Sequence, residues 1–134
     1  MITTVIGNVG QDPEIKFTNS GQPVCTFSIA ETRRYKDSND NDQEQTTWWR
    51  IVAWREMAEN IADSIHKGDR VLVSGRCEIR SYKDSDDVDK YITEITAYDV
   101  APSLRWATAT VSKNEKKSGA GRSSGDVPLG DEPF

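Results

Sequence analysis

Alternating apolar and polar residues predict β-strands along most of the first hundred positions. The stretch ITTVIGNV at 2–9 is rich in β-branched residues, and the stretch at 24–35 places Cys25, Phe27 and Ile29 at every second position. A period of two is typical of a strand that buries one face. Three more strands are predicted, at about 46–54, 70–82 and 90–100.

The residues between the third and fourth strands have a helical pattern instead. A single apolar stripe recurs there at helical spacing, formed by Met57, Ala58, Ile61, Ala62 and Ile65. Gly68 follows, and a glycine just past a helix commonly ends it. We therefore predict one helix at about 55–67.

The order of elements favours one small architecture. Three strands, a helix and two strands predict an all-β, five-stranded OB-fold barrel with one helix between strands 3 and 4. The polar, acidic segments 36–46 and 83–89 have no apolar period and are predicted to be loops, and LRWATATV at 104–111 is compatible with an extra C-terminal edge strand. OB-folds bind oligonucleotides across strands 2–3 and the adjoining loops.

The composition changes near residue 112. SKNEKKSGAGRSSG contains no large hydrophobic residue, so it cannot offset the entropy of ordering itself. We predict a folded domain at 1–111, and a disordered tail at 112–134 that joins a flexible linker to the acidic end DVPLGDEPF.

Charge and cysteine content narrow the class of protein. A net charge of −5 excludes a uniformly basic nucleic-acid binder but not a local basic stripe. Residues 2–9 are strand-like and lack the features of a signal peptide, and no long apolar run is present. We therefore expect a cytoplasmic protein without membrane contact, whose two cysteines, Cys25 and Cys77, stay reduced.

No residue set predicts catalysis. His66 is the only histidine, no serine or cysteine has an evident base partner, and no Cys/His cluster has metal-ligand spacing. DSNDND at 37–42 has Asp42 where a calcium loop requires glycine. The sequence predicts a non-enzyme without cofactor or metal.

The stretch TTWWRIVAW at 46–54 carries the strongest functional pattern. On a strand, Trp48, Arg50 and Trp54 share one face, while the more apolar opposite face begins with Trp49. The apolar face is expected to fill the barrel or meet another subunit, and the role of Trp49 at core or interface stays open. An unpaired arginine is costly to bury, so the first face is expected to be exposed.

Two other strands repeat this mixture of rings and cations. Arg76, Arg80 and Tyr82 share the outer face at 70–82, and RRY at 33–35 ends the strand before it, with YKDS at both strand ends. Rings stack on unpaired bases and cations follow phosphates, so the pattern favours single-stranded nucleic acid. The alternative is that the rings cover apolar surface and the arginines pair with acidic loops.

Four segments carry a family resemblance: VIGNVGQDPEIKF at 5–17, EQTTWWRIVAW at 44–54, HKGDRVLVSGR at 66–76 and the terminal EPF. Together they closely resemble bacterial single-stranded DNA-binding proteins. The resemblance implies a homotetrameric OB-fold that wraps single-stranded DNA. It also implies a cytoplasmic, nucleoid-associated protein whose C-terminal tip recruits proteins of DNA replication, repair and recombination.

The resemblance also implies roles for individual residues. The base-stacking positions fall on Tyr35, Trp48, Trp54 and Tyr82. The phosphate-contacting positions fall at or near Arg50, Lys67, Arg76 and Arg80, and the expected set includes Arg33 and Arg34. The partner-docking tip is Asp131, Glu132, Pro133 and Phe134. SLRWATATV resembles a strand with which some actinobacterial members clamp neighbouring subunits.

Two other classes of function stay open from the residues alone. One is an OB-fold assembly or accessory module with weak nucleic-acid contact. The other is an RNA-directed OB domain.

Overall fold

A computed structural model describes residues 1–115 of the chain. It contains six strands and one helix: β1 Ile2–Val9, β2 Glu14–Phe17, β3 Pro23–Lys36, β4 Asp42–Trp54, α1 Glu56–Ser64, β5 Arg70–Lys83 and β6 Asp89–Pro102. The predicted OB-type barrel is confirmed, and its single helix follows the third of the five predicted strands.

The sheet closes because β1 pairs on both sides. The strand order is β1-β5-β6-β4-β3-β2, and β1 pairs in addition with β3. β4 and β6 meet through a short parallel contact, while the other pairings are antiparallel. At the β1–β3 contact, a Cβ on Gly7 would lie 2.5 Å from the carbonyl oxygen of Ala30, so only glycine fits this close approach.

The predicted inward faces form the core. Ile51 and Ala53 of β4 are fully buried, as are Cys25 and Ile29 of β3. The helix adds the buried residues of its apolar stripe, Ala58, Ile61 and Ile65, the last lying just past its end. Burial raises the pKa of the Cys25 thiol to about 11 because the charged thiolate is poorly solvated there.

The helix is shorter than predicted at its C-terminal end. It stops at Ser64 because Ile65 is extended, with φ −108° and ψ 135°. His66 and Lys67, predicted to lie in the helix, fall in the following turn, where the backbone N–H of His66 donates to Asp69. Gly68 has a φ of 91° and shapes this turn, so it does not itself end the helix.

The first predicted polar loop, 36–46, is just over half strand, whereas the second, 83–89, is a turn apart from its two end residues. β3 and β4 continue to a turn at 37–41, and β5 and β6 continue to a similar turn at 84–88, so each pair forms a long hairpin arm. Ion pairs of 2.8 Å cross each arm near its tip, Lys36–Asp42 and Lys83–Asp89. Both faces of such an arm meet solvent, so its sequence lacks the alternation that reveals a half-buried strand.

The two turns explain why YKDS occurs twice. Asp37 accepts hydrogen bonds from the backbone N–H groups of Asn39 and Asn41, and Asp84 accepts from those of Asp86 and Val88. The bond from Asn41 contributes most to holding the pKa of the Asp37 carboxyl below its usual value. The repeated sequence builds the same turn at both tips.

The chain after β6 forms no strand within the described residues, so the extra strand considered at 104–111 is absent from this single chain. The last ladder-type bond runs from the backbone N–H of Ser103 to the carbonyl of Arg70, and the segment from there to residue 115 has no strand partner among residues 1–115. Asn114 instead donates to Glu56 and Asn60 of α1. Among residues 1–115, no helix has the length and apolarity to cross a membrane.

Candidate nucleic-acid interface

The outer face of β4 presents two exposed tryptophans. Trp48 and Trp54 are 60% and 44% exposed, and Arg50 lies between them on the same face. Strand alternation produces this arrangement because the intervening residues Ile51 and Ala53 point into the core. The prediction that these rings are open to solvent is confirmed.

The same face continues over two neighbouring strands. Arg50 pairs in register with Glu94 of β6, and Glu94 lies opposite Glu78 of β5. Arg80 and Tyr82 follow Glu78 at alternate positions, so both lie on the face of Trp48, and Tyr82 is 53% exposed. We call this continuous outer surface of β4, β6 and β5 the outer face.

A groove of about 330 Å³ lies beside Trp48. The loop after β1 forms one wall, and β3 and β4 form the other; the lining includes Gly10, Gln11, Asp12, Glu14, Trp48 and Arg50. A Cβ on Gly10 would lie 2.7 Å from Cζ3 of the Trp48 ring, so the loop backbone supports the ring closely. Asp12 also accepts a hydrogen bond from the backbone N–H of Lys67, which places the backbone of Lys67 beside the groove.

Most of the predicted phosphate-contacting arginines are in ion pairs. Arg34 pairs with Glu44 at 3.1 Å and Arg76 with Glu78 at 3.3 Å, while Arg50 and Arg80 share Glu94. These carboxylates lie on strands beside the arginines, and Glu44 belongs to a segment predicted to be an acidic loop. The four side chains remain between 45% and 82% exposed, so their unpaired N–H groups reach solvent.

Tyr35 and Arg33 lie away from Trp48. The unbroken register between β3 and β4 places Tyr35 opposite Gln43, on the face of the arm that also carries Trp49. The Arg33 guanidinium donates to Gln45 and lies 5.9 Å from the centre of the Tyr35 ring. The structure thus brings Trp48, Trp54 and Tyr82 onto one face and leaves Tyr35 on the other.

Trp49, whose role at core or interface was left open, packs toward the core of this chain. Its ring is partly buried against the core, and its indole N–H donates to Glu31 at 3.1 Å. The ring therefore covers the end of the barrel where the β3–β4 arm leaves it.

Comparison with protein families identifies the fold's relatives. The model of the single-strand binding protein family matches residues 2–103. The chain belongs to this family.

Relatives from actinobacteria match over nearly the whole chain. A single-stranded DNA-binding protein of Paenarthrobacter aurescens is 41% identical over 124 residues, which are 91% of this chain and 72% of the relative. The single-stranded DNA-binding protein of Mycobacterium tuberculosis is 37% identical over 139 residues, covering 98% of this chain and 85% of the relative.

Two solved structures of family members share the fold. An SSB complex with ssDNA from Plasmodium falciparum has a TM-score of 0.70 and 32% identity, covering 76% of this chain and 93% of that one. A small single-stranded DNA-binding protein from Streptomyces coelicolor has a TM-score of 0.67 and 27% identity, covering 78% and 94% respectively.

Two residues of the interface escaped prediction from the sequence. Gly10 was given no role from the sequence, although it supports the Trp48 ring. Glu94 was predicted only as a residue of the strand at 90–100, although it is buried between two arginines. The one sequence feature that could have indicated its burial is its place as a single acid between Ile92 and Ile95.

The remaining predictions concern the tail and metal binding. Asp131, Glu132, Pro133 and Phe134 lie outside the described residues. Within residues 1–115, no three His, Cys, Asp or Glu side chains are grouped so as to hold a metal ion.

Proposed function

We propose that this chain binds single-stranded DNA with little preference for sequence, and that it acts by binding and not by catalysis. The observation that carries the proposal is the outer face, where Trp48, Trp54 and Tyr82 are exposed beside Arg50 and Arg80. Membership of the single-strand binding protein family supports it.

The mechanism combines stacking with phosphate neutralisation. Three bases stacked on the three rings contribute about 3–9 kcal/mol gross, at roughly 1–3 kcal/mol per base. Ordering the strand and the two arms offsets part of this gain. The exposed N–H groups of the paired arginines, together with Lys67, meet phosphates, so the affinity falls as salt rises.

Tyr35 and Arg33 extend the proposed path to the other face of the β3–β4 arm. A strand that continued past the tip of the arm would meet the Tyr35 ring after leaving Trp48. This geometry suits DNA that wraps around the protein and not a short ligand held at one spot.

Quenching of tryptophan fluorescence tests the binding class. Oligo-dT, duplex DNA and an RNA of equal length are titrated into the full chain and into Trp48→Ala, with Trp106→Phe as the control. Trp106 is also exposed beside arginines, but it stacks on Arg70 at the start of β5, at the far end of that strand from Tyr82. We expect oligo-dT to quench strongly, and Trp48→Ala to lose affinity while Trp106→Phe does not.

Other results would favour the competing functions. Quenching by RNA in preference to oligo-dT would favour an RNA-directed domain. Absence of quenching by any of the three nucleic acids would refute the proposal and favour an assembly module.

We propose further that the protein forms a cytoplasmic, nucleoid-associated homotetramer, as the family resemblance implies. Light scattering of the full chain with and without oligo-dT tests the assembly. A mass of one chain at working concentration would contradict it.

The tip is proposed to recruit proteins of DNA replication, repair and recombination. The Phe134 ring would enter an apolar pocket with a basic rim, and Asp131 and Glu132 would steer the approach. A chain lacking residues 126–134 and a Phe134→Ala variant are compared by surface plasmon resonance against a purified replication protein that binds a relative's tip. Both changes are expected to abolish this binding and to leave oligo-dT binding in place; retained partner binding would contradict the role.

A further inference from the structure

Glu94 is a buried acid in the middle of an otherwise exposed surface. It is 6% exposed, although it lies on the outer face that carries Trp48 and Tyr82. A carboxylate is buried at this depth only when other groups satisfy it, since desolvation of the charge is costly.

Two arginines from different strands satisfy the two oxygens separately. The Nε–H of Arg50 donates to Oε2 of Glu94 at 3.0 Å, and the Nη1–H of Arg80 donates to Oε1 at 3.1 Å. Arg50 belongs to β4, Arg80 to β5 and Glu94 to β6, which lies between them. One carboxylate therefore fixes two guanidinium groups across three strands.

The arginines are held from below and open above. Their side chains are 45% and 66% exposed, against 8% for that of Glu94. A guanidinium has five N–H donors, and each arginine gives one of them to Glu94, so the others can face a ligand. Fixing the planar fork in advance reduces the entropy that is lost when it meets a phosphate.

We propose that Glu94 is a positioning residue that holds Arg50 and Arg80 ready for two phosphates of the bound strand. The inference rests on the proposed function of the outer face. The cluster keeps a net charge of +1, from two guanidinium groups and one carboxylate, so it still attracts the backbone.

A competing role predicts the opposite result. If Glu94 only lowered the positive charge of the surface, replacing it with glutamine would strengthen DNA binding and steepen its salt dependence. If Glu94 positions the arginines, the same change weakens binding, because glutamine offers one acceptor oxygen in place of two and leaves the guanidinium groups to repel each other.

The experiment compares oligo-dT affinity and its salt dependence for the full chain, Glu94→Gln and the matched control Glu78→Gln. Glu78 lies opposite Glu94 on the same face but is exposed and pairs with Arg76 alone among the described residues. We expect Glu94→Gln to weaken binding about 10-fold and to reduce the slope of log K against log salt by about 0.7 for each phosphate that is no longer neutralised. Glu78→Gln should change affinity by less than about 2-fold, as for an exposed pair.

The test of coupling repeats Glu94→Gln in an Arg50→Gln/Arg80→Gln background, where it should cause no further loss of affinity. Equal loss in both backgrounds would show a merely structural role and overturn the proposal. Tighter binding with a steeper salt slope in Glu94→Gln alone would also overturn it.

Arginine side-chain NMR gives a readout that does not depend on DNA or on the double variant folding. The Nε–H of Arg50 should exchange more slowly than that of Arg33, whose guanidinium bonds a neutral amide, and the protection should disappear in Glu94→Gln. Equal exchange rates for the Nε–H groups of Arg50 and Arg33 would refute the proposal that Glu94 positions Arg50. The full chain could fail to bind oligo-dT although the Arg50 Nε–H exchanges more slowly than that of Arg33. That result would refute the proposed function and the phosphate contacts, and it would retain only the hydrogen bond that fixes Arg50 on Glu94.

Discussion

At the scale of single residues, the proposed interface depends on small neighbours as much as on the rings. The Trp48 ring lies against the backbone of Gly10, where a Cβ would come within 2.7 Å of it. A stacking ring that is supported on its other side loses less freedom when a base arrives. The loop after β1 thus contributes to binding through the absence of a side chain.

Gly10→Ala tests this support. The added methyl would push the flexible end of the Trp48 ring and leave the backbone in place, so the fold should persist while oligo-dT affinity falls several-fold. Trp48→Ala alone should lower the affinity for oligo-dT about 5-fold to 150-fold, the equivalent of roughly 1–3 kcal/mol for one stacked base. Fluorescence anisotropy of labelled oligo-dT measures both. A further loss from Gly10→Ala in the Trp48→Ala background would show that the glycine acts by another route.

Cys25 gives the chain a pH dependence in the alkaline range. Burial raises its pKa from 9.0 to about 11, so above pH 9 the unfolded chain releases this proton while the folded chain retains it. The free energy of unfolding should therefore be unaffected by this group below pH 9 and fall as the pH rises from 9 to 11. Urea unfolding at a series of pH values across this range measures the decline.

Cys25→Ala should be less stable at neutral pH because it leaves a cavity, but its decline at alkaline pH should be shallower. Cys77→Ala is the control, since Cys77 is only partly buried and the rest of the sequence is the same in all three chains. Parallel declines in all three would contradict the assignment to Cys25.

At the scale of elements, the barrel strands and the β5–β6 arm were predictable, and the outer part of β4, before residue 46, was not. In β4 the inward residues Ile51 and Ala53 are buried, so hydrophobic alternation revealed them. The outer part of the same strand shows no alternation of apolar and polar residues. The β3–β4 arm lies in solvent there and is held by polar pairs such as Arg34–Glu44. Glu94 was missed for a related reason, since its role depends on Arg50 and Arg80, which adjoin it only after the sheet forms.

The junction between β4 and α1 contains a strained residue. Arg55 has a φ of 63° and a ψ of −138°, a backbone conformation that residues other than glycine rarely adopt. Its side chain makes no capping hydrogen bond. Arg55→Gly should stabilise the protein by about 1 kcal/mol net, after the added freedom of the unfolded chain is subtracted.

The corresponding rise in the melting temperature is about 4–8 °C for a domain of this size. Arg55→Ala is the control: it also removes the 3.4 Å hydrogen bond to Gln22 but keeps the Cβ, so its melting temperature should not rise. Calorimetry compares the three chains. An equal rise in the melting temperature of Arg55→Ala would mean that removal of the charge, and not relief of backbone strain, causes the stabilisation.

At the scale of the whole molecule, one surface carries the proposed binding while the total charge opposes it. The chain has a net charge of −5, yet the outer face presents arginines whose acidic partners lie beside or below them. Local arrangement therefore decides the field that a phosphate meets. That arrangement exists only if the barrel is closed, since β4, β5 and β6 contribute to the outer face together.

Gly7 is the residue on which closure depends most directly. Gly7→Ala would place a methyl 2.5 Å from the backbone carbonyl oxygen of Ala30, and backbone cannot move aside as a side-chain end can. The β1–β3 contact must then open, at a cost of about 2–3 kcal/mol, the upper part of the range for overpacking.

Thr4→Ala is the matched control because Thr4 lies on the same strand, is exposed, and makes a side-chain hydrogen bond to Ser74 at the edge of the barrel. Thermal unfolding should show Gly7→Ala melting about 8–24 °C below the parent chain and Thr4→Ala within a few degrees of it. Loss of stability of equal size in both variants would mean that β1 is sensitive throughout its length, and closure at Gly7 would not be the cause. Since the outer face forms only in the closed barrel, oligo-dT binding by Gly7→Ala should disappear over the same temperature range as its folded state, whereas a binding signal that survived unfolding would contradict the proposal that closure assembles the interface.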